Sequence, residues 1–361
     1  MANNVTLHQL NNGVYDNLYP RAVASKSYLT VDTSALYNLQ NGTAEQAVQS
    51  VMHVIALSGN VRLKIIDENG NPVSGAIIKG LIGDPTSDSN GQVQGIYQYN
   101  PVTVVSPYVD IQDKSVDISN YIGSVSELTI TLSCKADGTI VRYTNSTSVR
   151  FSSIVKTIDV CCVGAGGGGG EVIIHSSGSE TYHNTGAGGG GGAIENSYGL
   201  SVVPNTEYQI KIGSGGATGY HNISGGSTSF MNITAAGGKS PSYESGSYNA
   251  KGGPAGKDGC GNGGDYGHNG QNSTISEFDD GITFYSGGGG AGSRNGGTPN
   301  GANGGYITGA YPGALTTHPA STPGIGGGGG GGEFGNDGKG GFPLASPSQG
   351  GSGLVAIRVH F

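Results

Sequence analysis

The chain has 361 residues, 71 of them glycine, with 12% charged residues and a formal net charge of −8. Seventeen Lys and Arg against 25 Asp and Glu leave no basic footprint for nucleic acid, and the low charge is unlike a chain kept disordered by self-repulsion. Glycine is concentrated in one part: 11 precede Gly164 and 60 lie from Gly164 onward.

Residues 1–57 read as a mixed region. MANNVTLHQLNNG lacks a basic segment followed by an apolar one, so no signal peptide is expected there. No run of about 18 apolar residues occurs, so no membrane insertion is expected. The six Asn-x-Ser/Thr triplets are then products of composition rather than glycan sites. Thr43 to Gln46 (TAEQ) has the form of a capping box. Ala44, Ala47, Val48, Val51, Met52 and Ile55 follow at helical spacing, which predicts a short helix with one apolar face. So short a helix is marginal alone, and its face needs a partner in this chain or another.

Residues 58–133 read as a β-sandwich. Val61, Leu63 and Ile65 alternate, a Glu-Asn-Gly-Asn turn follows, and further strands are expected near 102–109 and 128–132. DENGNPVSGAII resembles the transthyretin-like, carboxypeptidase-regulatory sandwiches over about 70 residues. That resemblance carries no catalytic motif and implies a spacer.

Residues 134–361 hold the glycine. TIDVCCVGAGGGGGEV runs from an apolar strand straight into five glycines, 166–170. The pattern returns at 186–192, 287–292 and 324–332. Glycine is the costliest residue to order, so repeated tracts between strand patterns need a compensating interaction. A flexible linker does not alternate with strands, and a collagen register breaks at Asn262. Packed polyglycine II helices satisfy the pattern: three residues per turn, about 3.1 Å rise, and side-chain-free backbones that pair N–H and C=O with several neighbours. The connecting segments would cluster at the bundle ends. The alternating strand 354–360 would lie beside the strand before the first tract. Cys161 and Cys162 would face opposite sides of that strand, and with Cys134 and Cys260 they read as small buried hydrophobes. The fold class expected is mainly β: an attachment region with a short helix, a β-sandwich, and a glycine-rich domain of polyglycine II helices with flanking strands.

Chemical motifs are sparse. Gly238-Lys239-Ser240 would need glycine at position 233 to form a phosphate loop, and that residue is Ile. His175, His183, His221, His268 and His318 fit no ligand pair, so no metal or cofactor is expected. Glu277 to Asp280 (EFDD) reads as a solvated acidic turn rather than a calcium loop. No catalytic constellation can be singled out, and the chain is not expected to be an enzyme. The segments between tracts combine Tyr and His with Ser, Gly and Asn, the palette of binding loops. Tyr182, His183, Tyr243, Tyr248, Tyr306, Tyr311 and His318 are the expected contact residues.

The series IDVCCVGAGGGGG, AGGGGGA, VVPNTEYQIKIGSGG, GGSTSF, GGGGAG, GGGGGG and GGSGLVAIRV resembles, in order as well as composition, the glycine-rich domain of bacteriophage tail proteins. YDNLYPRA resembles the attachment regions of phage tail and baseplate proteins. The resemblance implies a virion component: a tail or baseplate receptor-binding adhesin, a homotrimer by analogy, joined to the tail through residues 1–57. Its expected partner is a bacterial surface glycan or protein. A purely structural tail-fibre or baseplate role is the alternative. Ice binding, which also uses polyglycine II helices, needs a flatter and more regular face.

Overall fold

A computed structural model describes residues 59–170, 186–218, 224–242, 251–289, 324–329 and 347–361, apart from positions 125, 259, 264 and 266–268, together with the backbone of several short strands outside them. The structure is mainly β, as the sequence predicts. No helix among the described residues is long and apolar enough to cross a membrane. The expected helix at 44–55 lies outside the described residues.

Strands β1 (Leu7–Asn11) and β2 (Val14–Leu18) form an antiparallel hairpin. Next come β3 (Asn60–Asp67), β4 (Ile77–Lys79), β5 (Gln92–Ile96), β6 (Val102–Val105), β7 (Lys114–Val116) and β8 (Glu127–Leu132). They make two three-stranded sheets, ordered β5-β3-β8 and β4-β6-β7. The alternation in β3 puts Val61, Leu63 and Ile65 inward, where they share one core with Ile78, Val102, Val104, Ile130 and Leu132.

The C-terminal part begins with β9 (Ile140–Tyr143), β10 (Thr147–Val149) and β11 (Thr157–Val163). A hairpin of β12 (Ile173–Ser177) and β13 (Glu180–Asn184) follows, then β14 (Ile194–Ser201), β15 (Tyr208–Lys211), β16 (Thr228–Phe230) and β17 (Ile233–Ala235). Two short pairs, β18 (Ser242–Tyr243) with β19 (Ala250–Lys251) and β20 (Glu333–Gly335) with β21 (Phe342–Ala345), precede the final strand β22 (Leu354–His360). The central sheet is ordered β14-β11-β22-β9, so the last strand lies against β11 as expected. A second sheet, β10-β15-β16-β17, adds Val149, Ile210, Phe230 and Ala235 to one face of it. Cys162 packs into that face, whereas Cys161 packs on the other with Val163, Leu354, Phe278 and Tyr285. All four cysteines are free, and burial pushes the thiols of Cys162 to about 12 and Cys260 to about 11. Such thiols are inert at neutral pH.

Beyond Val163 the sheet gives way to a lattice of glycine tracts. In tract 164–170, the N–H groups of Gly164, Gly167 and Gly170 donate to Ala193, Gly190 and Ala187. Those of Gly166 and Gly169 donate to Gly351 and Ser348. Ala165 donates to Gly226. One neighbour is met every third residue, as three residues per turn require. The same tract accepts from Gly216, Gly238 and Gly329. Tract 186–193 behaves alike. Gly189 and Gly192 donate to Gly329 and Gly326, Gly190 and Ala193 to Lys239 and Ala236, and Gly191 to Gly261. It accepts from tract 164–170, from Gly253 and Gly256, and from Gly289. Each of these two tracts is therefore enclosed on six sides by others. The enclosing tracts bond to one another around the ring, as in Gly225 to Gly238, Gly226 to Ser214, Gly353 to Gly213, Gly263 to Gly253 and Gly328 to Gly287. This is hexagonal packing of polyglycine II helices.

Close approach, rather than backbone freedom, demands glycine here. Of the described tract glycines only Gly326 has a left-handed φ, at +67°. A Cβ on Gly167, Gly189 or Gly328 would instead stand 2.1, 2.1 or 1.9 Å from a carbonyl oxygen of an adjoining tract. At the rim the requirement lapses, and Pro254, Asn262 and Gln271 are exposed.

The acidic turn departs from expectation. Glu277 is 1% exposed, not solvated. Arg142 holds its carboxylate with two bonds, 2.8 and 3.1 Å, and the Tyr285 hydroxyl donates a third at 2.6 Å. Burial, reinforced by that carboxylate, pushes the Tyr285 phenol well above its ordinary range. Asp279 accepts from Asn196 and Tyr198. The turn plugs the Cys161 face of the central sheet, with Phe278 buried beneath the Arg358 guanidinium 4.4 Å from the ring centre.

Candidate binding surface

Tract direction decides which connections share an end of the bundle. Tract 164–170 leads away from β11. Tract 186–193 is antiparallel to it, since Gly164, Gly167 and Gly170 meet Ala193, Gly190 and Ala187. Tracts 236–239 and 324–329 are each antiparallel to 186–193 and hence parallel to the first. The ends at Gly170, Lys239 and Gly329 therefore lie together, on the side of the lattice away from the central sheet.

Three connections that carry described strands start there. The chain leaves at Gly170, forms β12 and β13, and returns where Gly170 bonds Ala187 at 3.0 Å. It leaves at Lys239, forms β18 and β19, and returns where Lys239 bonds Pro254 at 2.9 Å. It leaves at Gly329, forms β20 and β21, and returns at Ser348, which accepts from Gly169 at 3.0 Å. The roots are themselves cross-linked, Gly190 to Lys239 and Gly189 to Gly329. Backbone hydrogen bonds in a dry lattice fix all three roots relative to one another.

Of the expected contact residues, Tyr182 and His183 lie on β13, opposite His175 and Ile174 in the backbone register. Tyr243 lies on β18 opposite Ala250. These two hairpins share one end of the bundle, a parity that sequence alone leaves open. Tyr248, Tyr306, Tyr311 and His318 lie outside the described residues. No group of three or more metal-ligating side chains occurs among the described residues.

The opposite end carries the sandwich. Asp110 accepts from the Ser152 backbone at 3.0 Å and from its hydroxyl, and Tyr108 donates to Asn205. Val109 enters the core of the central sheet beside Phe151 and Val155. Lys135, partly desolvated, donates to the carbonyls of Val109 and Ile111 across the same junction. Sequence reasoning had no access to this seam, because its partners are up to 97 residues apart.

The family described as glycine-rich domain matches residues 142–360, and the chain belongs to that family. No curated protein matches the chain.

Proposed function

We propose that this chain is a bacteriophage receptor-binding protein, an adhesin at the tail or baseplate that attaches the virion to a bacterial surface glycan or protein. The observation that carries the reading is the convergence of three hairpin roots on one end of a rigid lattice, with the sandwich at the other. A scaffold held by backbone bonds tolerates sequence change in the segments it presents, which suits a surface that must follow a changing receptor. The order of glycine tracts, which resembles phage tail proteins, supports the same reading. Residues 1–57 would join the chain to the tail, the sandwich would serve as a spacer, and a homotrimer is the expected assembly.

Contacts would come from Tyr182, His183, Tyr243, Tyr248, Tyr306, Tyr311 and His318. Aromatic anchors dominate interfaces, each worth about 1–3 kcal/mol when truncated. The test is adsorption of purified chain to host cells. The triple variant Tyr182→Ala, Tyr243→Ala, Tyr311→Ala should adsorb at least tenfold more weakly with an unchanged circular dichroism spectrum. Equal adsorption by the folded variant would favour a purely structural tail role.

A further inference from the structure

The rim of the lattice holds a second surface, which adjoins the root of the β18–β19 hairpin at Pro254. Tract 261–263 is bonded to tract 252–256 through Gly263 and Gly253, to tract 186–193 through Gly191, to tract 286–289 through Ser286, and to Gln271 through Asn262. Its remaining side faces outward, and there a trough of about 410 Å³ opens. This volume falls in the range of small-ligand clefts, about 300–1,000 Å³. Pro254, Asn262, Asp265, Asn269 and Gln271 line it, with the backbone of Gly252 and Gly263 as its floor.

The polar side chains are held in place by the scaffold. Asn262 accepts from the Ala255 N–H at 2.7 Å and donates to Gln271 Oε1 at 2.9 Å. Asp265 accepts from the Gly252 N–H at 2.6 Å through Oδ1. Each stands where a further glycine helix would otherwise supply peptide groups. Beyond these bonds the side chains carry further hydrogen-bonding groups: the second carboxylate oxygen of Asp265, the second amide hydrogen of Asn262, and both amide hydrogens of Gln271. Fixed acceptors beside fixed donors match hydroxyl groups, which donate and accept at once.

The lining narrows the ligand class. Among its described residues it contains no cation for an anionic group and a single carboxylate, too few ligands for a metal. It is largely polar, which disfavours an apolar guest. We propose that this trough is a side-on binding site for a neutral polyhydroxylated ligand, a sugar residue of a glycan chain lying along the lattice. The proposed site uses none of the aromatic residues assigned to the hairpin end.

Saturation-transfer NMR of the full chain with the methyl glycosides of glucose, galactose and N-acetylglucosamine tests it. At least one should show transfer to its ring protons. The variant Asp265→Asn/Gln271→Glu retains an acceptor for Gly252 and for Asn262 while moving the carboxylate from position 265 to 271 and replacing both Gln271 donors with acceptors. It should keep its melting temperature and lose the transfer at least fivefold. The triple tyrosine variant should retain it, which separates this site from the hairpin end. Absence of transfer to all three glycosides, or equal transfer in the folded trough variant, would overturn the proposal.

Discussion

Gly328 shows why the lattice selects residues so strictly. A Cβ there would lie 1.9 Å from the Gly189 carbonyl oxygen, and backbone on both sides leaves no side chain to yield. Gly328→Val should therefore destabilise the domain by about 3 kcal/mol, at the upper end of overpacking costs; an unchanged melting temperature would contradict close packing at this position. Ser286 is the reverse case. Its φ is +62°, and its hydroxyl is the one buried side-chain polar atom without a hydrogen bond among the described residues. Ser286→Gly removes the strain and the orphan hydroxyl together, and should stabilise by about 1 kcal/mol in thermal unfolding. Asp159 sets an acid limit. Burial raises its pKa, but the Gly199 N–H, His360 and Arg358 outweigh burial and hold it below the ordinary value. Its contribution is therefore present above the unfolded pKa, near 3.9, and is lost as pH falls through the lower folded value. Asp159→Asn should flatten the stability profile below about pH 4 relative to the parent chain, as read by thermal melts across that range.

At the scale of elements, the tracts and their strands were legible because both signals are local. Alternation in 354–360 assigns Leu354 and Ala356 to one face and Val355, Ile357 and Val359 to the other, and the two cores divide them that way. Glycine tracts that recur between strand patterns have few folded solutions, and polyglycine II was derivable from that recurrence. Which tract meets which was not, because the donors of 164–170 reach as far as Gly351. The burial of Glu277 escaped for the same reason: its partner Arg142 is 135 positions away, and EFDD read locally is a surface turn. The trough's lining falls within 252–271, but its shape depends on three tracts of that stretch meeting at one rim, which local pattern does not show. Long-range closure also makes the C-terminus decisive. Strand β22 lies between β11 and β9, and tract 350–353 bonds tracts 164–170, 213–217 and 324–329. Deleting residues 347–361 should leave the glycine-rich part unable to form, so limited proteolysis should digest it while a fragment containing residues 59–133, which has its own core, resists. Equal protease resistance of both parts would show that the lattice closes without its last tract.

At the scale of the whole molecule, the described cores divide the work between ends. The sandwich core and both faces of the central sheet draw their buried residues from position 61 onward. Residues 1–57, proposed above to join the chain to the tail, lie outside the described residues apart from the backbone of β1 and β2. Their apolar positions, Ala44, Ala47, Val48, Val51, Met52 and Ile55, would then be covered on assembly, and loss of that cover would be felt in the particle rather than in the isolated fold. Deletion of 1–57 separates the two effects. The shortened chain should unfold at a melting temperature close to that of the full chain, since no described core residue is lost, and should still adsorb to host cells through its hairpin end. Supplied in place of the full chain during phage assembly, it should be absent from purified tails. Normal incorporation would move the attachment surface onto the sandwich or the lattice, and a collapse in melting temperature would make the N-terminal segment part of the fold instead.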